Sequence, residues 1–325
     1  MNDYTLSEVV ERFRTSAALR SKASIGLVAE VFGATDWVHG PGDDTAVVEI
    51  GEEHILVAGE AIWPPLVTSD PFGAGVASVV ANINDVAAMG GRGLALVDQV
   101  VATEEVARKV LEGIRFAAGI YRLPVVGGHL TIWDGAPSVS ASIVGRAERP
   151  LHAVDIAPEQ VCLMACCLQG SMREDFPFFS SIRHRASELA GDIEVLPSLA
   201  EAGLIAGAKD VSMTGVLGSL AMLLEPSRCG ALVDLEAIPT PDGIGLALWT
   251  SVFPTYAFVL TASPGDAADV SGEFRGRGLA CERIGIIDDT GRLRVRLGLE
   301  EAQILDLKTQ TVTGLGSKDD PAPKR

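Results

Sequence analysis

The chain is short of positive charge: 26 Lys and Arg stand against 43 Asp and Glu, a formal net charge of −17. This argues against nucleic acid or an anionic membrane as partner, because such surfaces are met by clustered Lys and Arg that displace counterions. No uncharged apolar run reaches the roughly eighteen residues of a membrane span, and Met1-Asn2-Asp3-Tyr4 opens without a basic region or signal core. The expectation is a cytoplasmic protein with no membrane or nucleic-acid partner. Cysteine is sparse too. Cys162, Cys166, Cys167, Cys229 and Cys281 form no CxxC pair and have no His at zinc spacing. Three of them fall in the apolar run Val161–Leu168, which reads as a buried strand of reduced thiols. Neither a Walker P-loop nor a G-x-G-x-x-G turn between strand and helix is present, so no glycine fingerprint announces a nucleotide.

What is there is apolar enough for a large core, with 47% hydrophobic residues over 325 positions. That length reads as two domains of roughly 150 residues each. The boundary falls at Arg149-Pro150 and the polar residues up to Gln160, giving domains 1–150 and 151–314. The charged, Pro-rich tail 315–325 is expected to be disordered.

Periodicity and punctuation predict a helix over 5–33, strands Ala46–Ile50 and His54–Gly59, and helices Gly73–Met89 and Glu104–Tyr121. Strands follow at Leu94–Val101, at Pro124–Thr131 with an interruption at Gly127-Gly128-His129, and at Ser138–Ala147. The prolines of 63–71 argue for an irregular loop there. The second half reads as strands Val161–Gln169, Ala231–Ile238, Tyr256–Ala262 and Arg283–Ile287. Its helical stretches are Ile182–Leu189, Ser198–Ala206, a segment running to Leu224, and Gly265–Arg277. The pattern is α+β with a mixed or antiparallel sheet.

Two acidic clusters organise the first half. Gly40-Pro41-Gly42-Asp43-Asp44 sets two carboxylates in a Gly/Pro loop before an apolar run, and Asn82-Ile83-Asn84-Asp85 puts an amide and a carboxylate on one face of an apolar helix. Oxygen ligands of this kind suit Mg²⁺, which keeps several waters and is usually completed by substrate phosphates. A solvated turn whose Asp caps the backbone is the plainer reading of Asp43 and Asp44. Asp85 stands among Ile83, Val86 and Ala87, where an unpaired charge is costly unless a metal, Lys or Arg meets it. His129 reads either as a core hydrogen-bonding group or as a phosphate or substrate contact. Asp210 precedes a helix whose dipole also favours an acid.

Four motifs, Gly-Pro-Gly-Asp-Asp-Thr-Ala-Val-Val, Ala-Asn-Ile-Asn-Asp-Val-Ala-Ala-Met-Gly-Gly, Val-Val-Gly-Gly-His-Leu-Thr and Lys-Asp-Val-Ser-Met-Thr-Gly-Val-Leu-Gly, stand in order along the chain. In that order the sequence resembles the aminoimidazole ribonucleotide synthetase (PurM-like) superfamily, which includes thiamine-monophosphate kinase and selenophosphate synthetase. The resemblance implies a two-domain α+β, PurM-like fold whose N-terminal mixed sheet forms a barrel across a homodimer, with ATP and Mg²⁺ as cofactors. Carried over by position, it implies metal ligands at Asp43, Asp44, Asp85 and Asp210, with Glu60 where the kinase branch usually has Asp. It places Asn82, Gly127 and Gly128 near the nucleotide, and His129 is the candidate catalytic group. The absence of Cys before Cys162 and the ending Pro-Ala-Pro-Lys-Arg set the chain apart from the selenophosphate and hydrogenase-maturation branches.

The expected activity is Mg²⁺-dependent use of ATP to phosphorylate, or activate by phosphorylation, a small polar substrate. The alternative is a nucleotide-binding or scaffold subunit without turnover. Thiamine-monophosphate kinase itself ranks below both, because the second-half motif departs from the kinase form.

Overall fold

A computed structural model describes residues 4–32 and 42–315. Gly33, Gly40 and Pro41 and nearly all of the expected disordered tail lie outside the described residues. In chain order the first elements are α1 (Leu6–Thr15), α2 (Ala17–Lys22), α3 (Gly26–Phe32), β1 (Ala46–Ile50), β2 (Glu53–Ala61), α4 (Pro64–Ser69) and α5 (Pro71–Ala88). Next are β3 (Gly91–Ala102), α6 (Glu104–Tyr121), β4 (Val125–Ile132), β5 (Ser138–Ala147), β6 (Val161–Cys166), β7 (Ser171–Met172), β8 (Phe178–Ser180), α7 (Leu189–Asp192) and α8 (Val195–Glu201). The chain continues with β9 (Gly207–Asp210), α9 (Gly215–Leu224), β10 (Gly230–Asp234), α10 (Leu246–Trp249), β11 (Phe253–Pro254) and β12 (Ala257–Ala262). It closes with α11 (Ala267–Gly276), β13 (Ala280–Asp288), β14 (Arg292–Leu297) and β15 (Glu300–Asp306).

These elements form two compact units that do not follow the two halves of the sequence. The smaller unit comprises Asp44–Pro150 and Arg185–Glu201, and the larger takes the described residues of Met1–Asp43, Leu151–His184 and Ala202–Arg325. One change from the smaller unit to the larger falls between Pro150 and Leu151. Helix α1 nonetheless packs with the second half: Leu6, Val9, Val10 and Phe13 on one of its faces enter the same core as Leu220, Val233 and Val295.

In the smaller unit a five-stranded sheet runs β1-β2-β5-β3-β4, antiparallel except for the parallel pair β3–β4. Alternation puts Leu56, Leu96, Val100, Ala141 and Ile143 on the face covered by helices, all fully buried. Helices α5 and α6 pack tightly: a Cβ on Gly113 would fall 2.1 Å from the Phe72 carbonyl oxygen. Along the other face, Val48, Ile50, Val57 and Val144 remain exposed. Segment 185–201 docks through Arg92, whose Nε lies 2.6 Å from Glu194 and whose Nη1 also meets Glu201.

Several local expectations need correction, among them the helical stretch expected at Ile182–Leu189, where turns run to Glu188 and a helix starts only at Leu189. The single helix over 5–33 is broken after Thr15, where the Ser16 side chain accepts a hydrogen bond from Leu19 N at 3.1 Å and starts a new helix. The supposed loop 63–71 contains α4, since Pro64 and Pro65 occupy the first helical turn, where no amide donor is needed. Gly127-Gly128-His129 does not interrupt β4, which pairs with β3 through Gly127↔Val97, Gly128↔Asp98 and His129↔Gln99; the register shift falls one residue earlier, at Val126 between Leu96↔Val125 and Val97↔Gly127.

The larger unit is built on a seven-stranded sheet, β15-β14-β10-β13-β6-β12-β9. Its interior strand β6, between β13 and β12, is buried at every position, which explains the unbroken apolar run at Val161–Cys166. Strands β14 and β15 have no counterpart in the sequence expectation. In Arg292–Leu297, Arg alternates with Leu and Val, and each Arg meets an acid: Arg294 reaches Asp288 at 2.6 Å and Arg296 reaches Asp234 at 2.6 Å.

All five cysteines are free and buried. Burial pushes the Cys162 thiol up to about 12 and Cys281 up to about 11, leaving almost no thiolate at neutral pH. The native protein should therefore react with less than one equivalent of a chromogenic disulfide reagent within minutes. All five thiols should titrate after unfolding in urea, and rapid native reaction of two or more would contradict this packing.

Candidate functional site

The loop of adjacent carboxylates splits its duties. Asp43 Oδ1 accepts the Ala153 amide at 2.9 Å and Oδ2 lies 3.1 Å from His152 Nδ1, both side chains being nearly buried in the larger unit. Both oxygens are thus engaged by protein groups, and Asp43 anchors the loop to the chain 110 residues on. Asp44 follows it into the smaller unit. One of its oxygens lies within 4.8 Å of an oxygen of Asp85.

Asp85 sits on α5 and is 7% exposed. The helix carries it because the surrounding turns are apolar or small and bury all round, so its few polar residues are held at set positions against the sheet. One turn earlier Asn82 is fully buried, and its Nδ2 donates to Ser78 O at 2.7 Å and to Ala141 O at 3.2 Å, tying α5 to β5. Its Oδ1 has no partner among the described residues. Glu60 is half-buried on β2, in register with Ala141.

Gly127, Gly128 and His129 are exposed on β4, at the edge of the sheet. His129 Nε2 lies 3.2 Å from Thr131 Oγ1. In the larger unit Asp210 ends β9 and is buried; the Lys209 ammonium lies 3.5 Å from its Oδ1.

Asp44 and Asp85 are brought together although the sequence separates them. Their donor chemistry fits a hard divalent cation: carboxylate oxygens alone, near enough to repel one another, one of them buried. His152, Lys209 and Asp98 were not singled out in the sequence. For Lys209 a signal existed, a lone ammonium inside the strand Gly-Ala-Lys-Asp beside a candidate ligand. His152 carried none, because its partner is far along the chain.

The N-terminal profile of AIR synthase related protein matches residues 42–147, and the C-terminal profile matches residues 169–298. An uncharacterised protein of Synechocystis sp. is 34% identical over 276 residues, covering 84% of this chain and 86% of its own. The chain belongs to the AIR synthase related family. Another relative, a thiamine-monophosphate kinase of Rhodopirellula baltica, is 31% identical over 172 residues, 52% of this chain and 51% of its own. Among solved structures, Thermotoga maritima PurL complexed with ADP superposes with a TM-score of 0.70 at 22% identity, over 87% of this chain and 47% of that one. The AIR synthase related chain therefore spans about half the length of that PurL and shares its fold. Together the matches establish the two-domain, PurM-like α+β architecture.

Among the described residues no helix is long and apolar enough to cross a membrane.

Proposed function

We propose that this AIR synthase related protein is a Mg²⁺-dependent, ATP-using enzyme that phosphorylates, or activates by phosphorylation, a small polar substrate. The observation carrying the reading is the approach of Asp44 and Asp85 to within 4.8 Å. The ADP carried by the PurL relative and the kinase name of the Rhodopirellula relative support it.

A bound Mg²⁺ would supply the positive charge that neutralises phosphate oxygens during transfer. Asp44 and Asp85 would hold it, and Asp43, occupied by His152 and Ala153, would fix the loop that presents Asp44. Glu60 and Asp210 are proposed as further ligands on their motifs. Asn82 holds the α5 end in place, Gly127 and Gly128 keep β4 free of side chains for an approaching nucleotide, and His129 is proposed to accept the substrate proton. The test is calorimetric titration with a non-hydrolysable ATP analogue, followed by phosphate release from ATP across small polar acceptors, thiamine monophosphate included. Binding that requires Mg²⁺, followed by acceptor-dependent turnover, is expected. Metal-dependent binding without turnover for any acceptor would favour the nucleotide-binding subunit instead.

A homodimer through the uncovered sheet face of the smaller unit is part of the proposal, since Val48, Ile50, Val57 and Val144 form an exposed apolar patch there. Val57 and Val144 stand directly opposite in register. Light scattering should give twice the chain mass, and Val57→Asp with Val144→Asp should give a folded single chain. A wild type that is monomeric at micromolar concentration would refute this part.

A further inference from the structure

The smaller unit holds an open cavity of about 620 Å³ between the C-terminal half of α6 and the strands β3 and β4. Ile114, Leu123 and Val125 give it apolar walls, and its charged lining residues are Asp98, Arg115 and Arg122. None of these belongs to the carboxylate pair described above.

Asp98 alternates with Leu96 and Val100 on the covered face of β3 and is 7% exposed. It makes no hydrogen bond or ion pair with any described residue. Buried carboxylates are almost always partnered, so one without a partner that opens on a cavity points to a group supplied from outside. The fold makes room for it: Gly128 stands opposite, and a Cβ there would lie 2.8 Å from the Asp98 Cγ. Burial holds its carboxyl above the ordinary aspartate range, with no charge offsetting the effect.

The two arginines also lack an acidic partner among the described residues, in a chain with 43 acids to choose from. Arg122 ends α6 in the left-handed conformation at φ 55, the position where glycine is usual. Its guanidinium therefore stands at the cavity at a conformational cost. Guanidinium groups take carboxylate and phosphate in forked hydrogen bonds.

We propose that this cavity binds a small amphoteric molecule, its amine on Asp98 and its phosphate or carboxylate on Arg115 and Arg122. The apolar wall takes the linker between the two ends.

The probe is O-phosphoethanolamine, with ethanolamine and inorganic phosphate as its halves, read by the thermal transition of the full-length protein without Mg²⁺. At 10-fold above its half-saturating concentration, phosphoethanolamine should raise Tm by roughly 2–4 °C, more than its two halves together. The shift should vanish in Asp98→Asn and in Arg115→Ala with Arg122→Gly.

Both variants should fold at least as well as wild type. Arg122→Gly relieves the left-handed cap, and Asp98→Asn removes a buried charge, so its own Tm at pH 7 should exceed wild type by roughly 2–4 °C. The sign follows from the raised pKa. Asp98 costs stability above its folded pKa, where the buried group is ionised, and costs nothing below the unfolded value, so the gain should shrink as pH falls toward the ordinary aspartate range. Arg115 and Arg122 are the charged groups facing it across the cavity. A wild-type Tm unmoved by phosphoethanolamine, an equal shift in the variants, or a lower Tm for Asp98→Asn would each overturn the proposal.

Discussion

Asp85→Asn should weaken Mg²⁺-dependent binding of an ATP analogue about 100-fold while leaving the fold intact. Unit charges 4 Å apart interact by about 4 kcal/mol at an effective dielectric of about 20. Part of that is returned by rehydration of the ion, and roughly 3 kcal/mol, two orders of magnitude in affinity, remains as the loss. Without Mg²⁺ the variant should bind no more weakly than wild type, because the amide removes a negative charge that repels the phosphates. The fold should tolerate the change, since the side chain keeps its size and an acceptor oxygen and loses its repulsion with Asp44. Asp44→Asn should behave alike. Asp43→Asn should instead lower stability and weaken binding less, because its oxygens serve His152 and Ala153. Calorimetry separates these outcomes, and wild-type affinity in Asp85→Asn would remove the carboxylate pair from the metal site. Asp210→Asn tests the remaining motif ligand on the same scale.

Arg185→Met should be the most damaging substitution for stability. Arg185 forms a two-pronged pair with Asp192, Nε to Oδ2 at 2.5 Å and Nη2 to Oδ1 at 3.1 Å, and the residues are 5% and 0% exposed. Removing the guanidinium leaves a fully buried carboxylate without its fork, a loss of about 3–5 kcal/mol. For a chain this long that corresponds to a fall in Tm on the order of 10 °C. Arg185→Met combined with Asp192→Leu should recover a large part of the loss, because the charge that needed solvation is gone as well. Scanning calorimetry decides it: a single mutant within 1 °C of wild type, or a double mutant worse than the single, would show that the pair carries little of the stability.

Much of the fold was legible where local chemistry and burial agree. Helix α6 runs Glu104–Tyr121 as expected, with Thr103 capping it and acids in its first turn, and β5 runs Ser138–Ala147 as expected. Asp44 and Asp85 stood out because a carboxylate in a Gly/Pro loop and another in an apolar helix are each locally anomalous. What stayed hidden depends on distant partners. Nothing near Asp43 reveals that His152 engages it, and nothing near α1 reveals that its apolar face joins strands almost three hundred residues away. Strands β14 and β15 were missed because their acids and arginines satisfy one another across strands, a pairing invisible along the chain. Asp98 was overlooked for the converse reason: its strand reads as ordinary alternation, and only the missing partner marks it.

The packing of α1 against the last strands has a consequence for how the molecule is made. Arg14 bonds the Gln303 carbonyl at 3.1 Å, and a Cβ on Gly26 would meet the Gly314 oxygen at 2.7 Å. On the ribosome the first helices emerge with nothing to cover their apolar sides until almost the whole chain has been synthesised, an interval of roughly half a minute at about 10 residues per second. The smaller unit also waits, needing 185–201 to complete it. Nascent chains of this protein should therefore depend on cellular holding factors far more than their length alone would require, and a 1–150 fragment should emerge as an aggregating species.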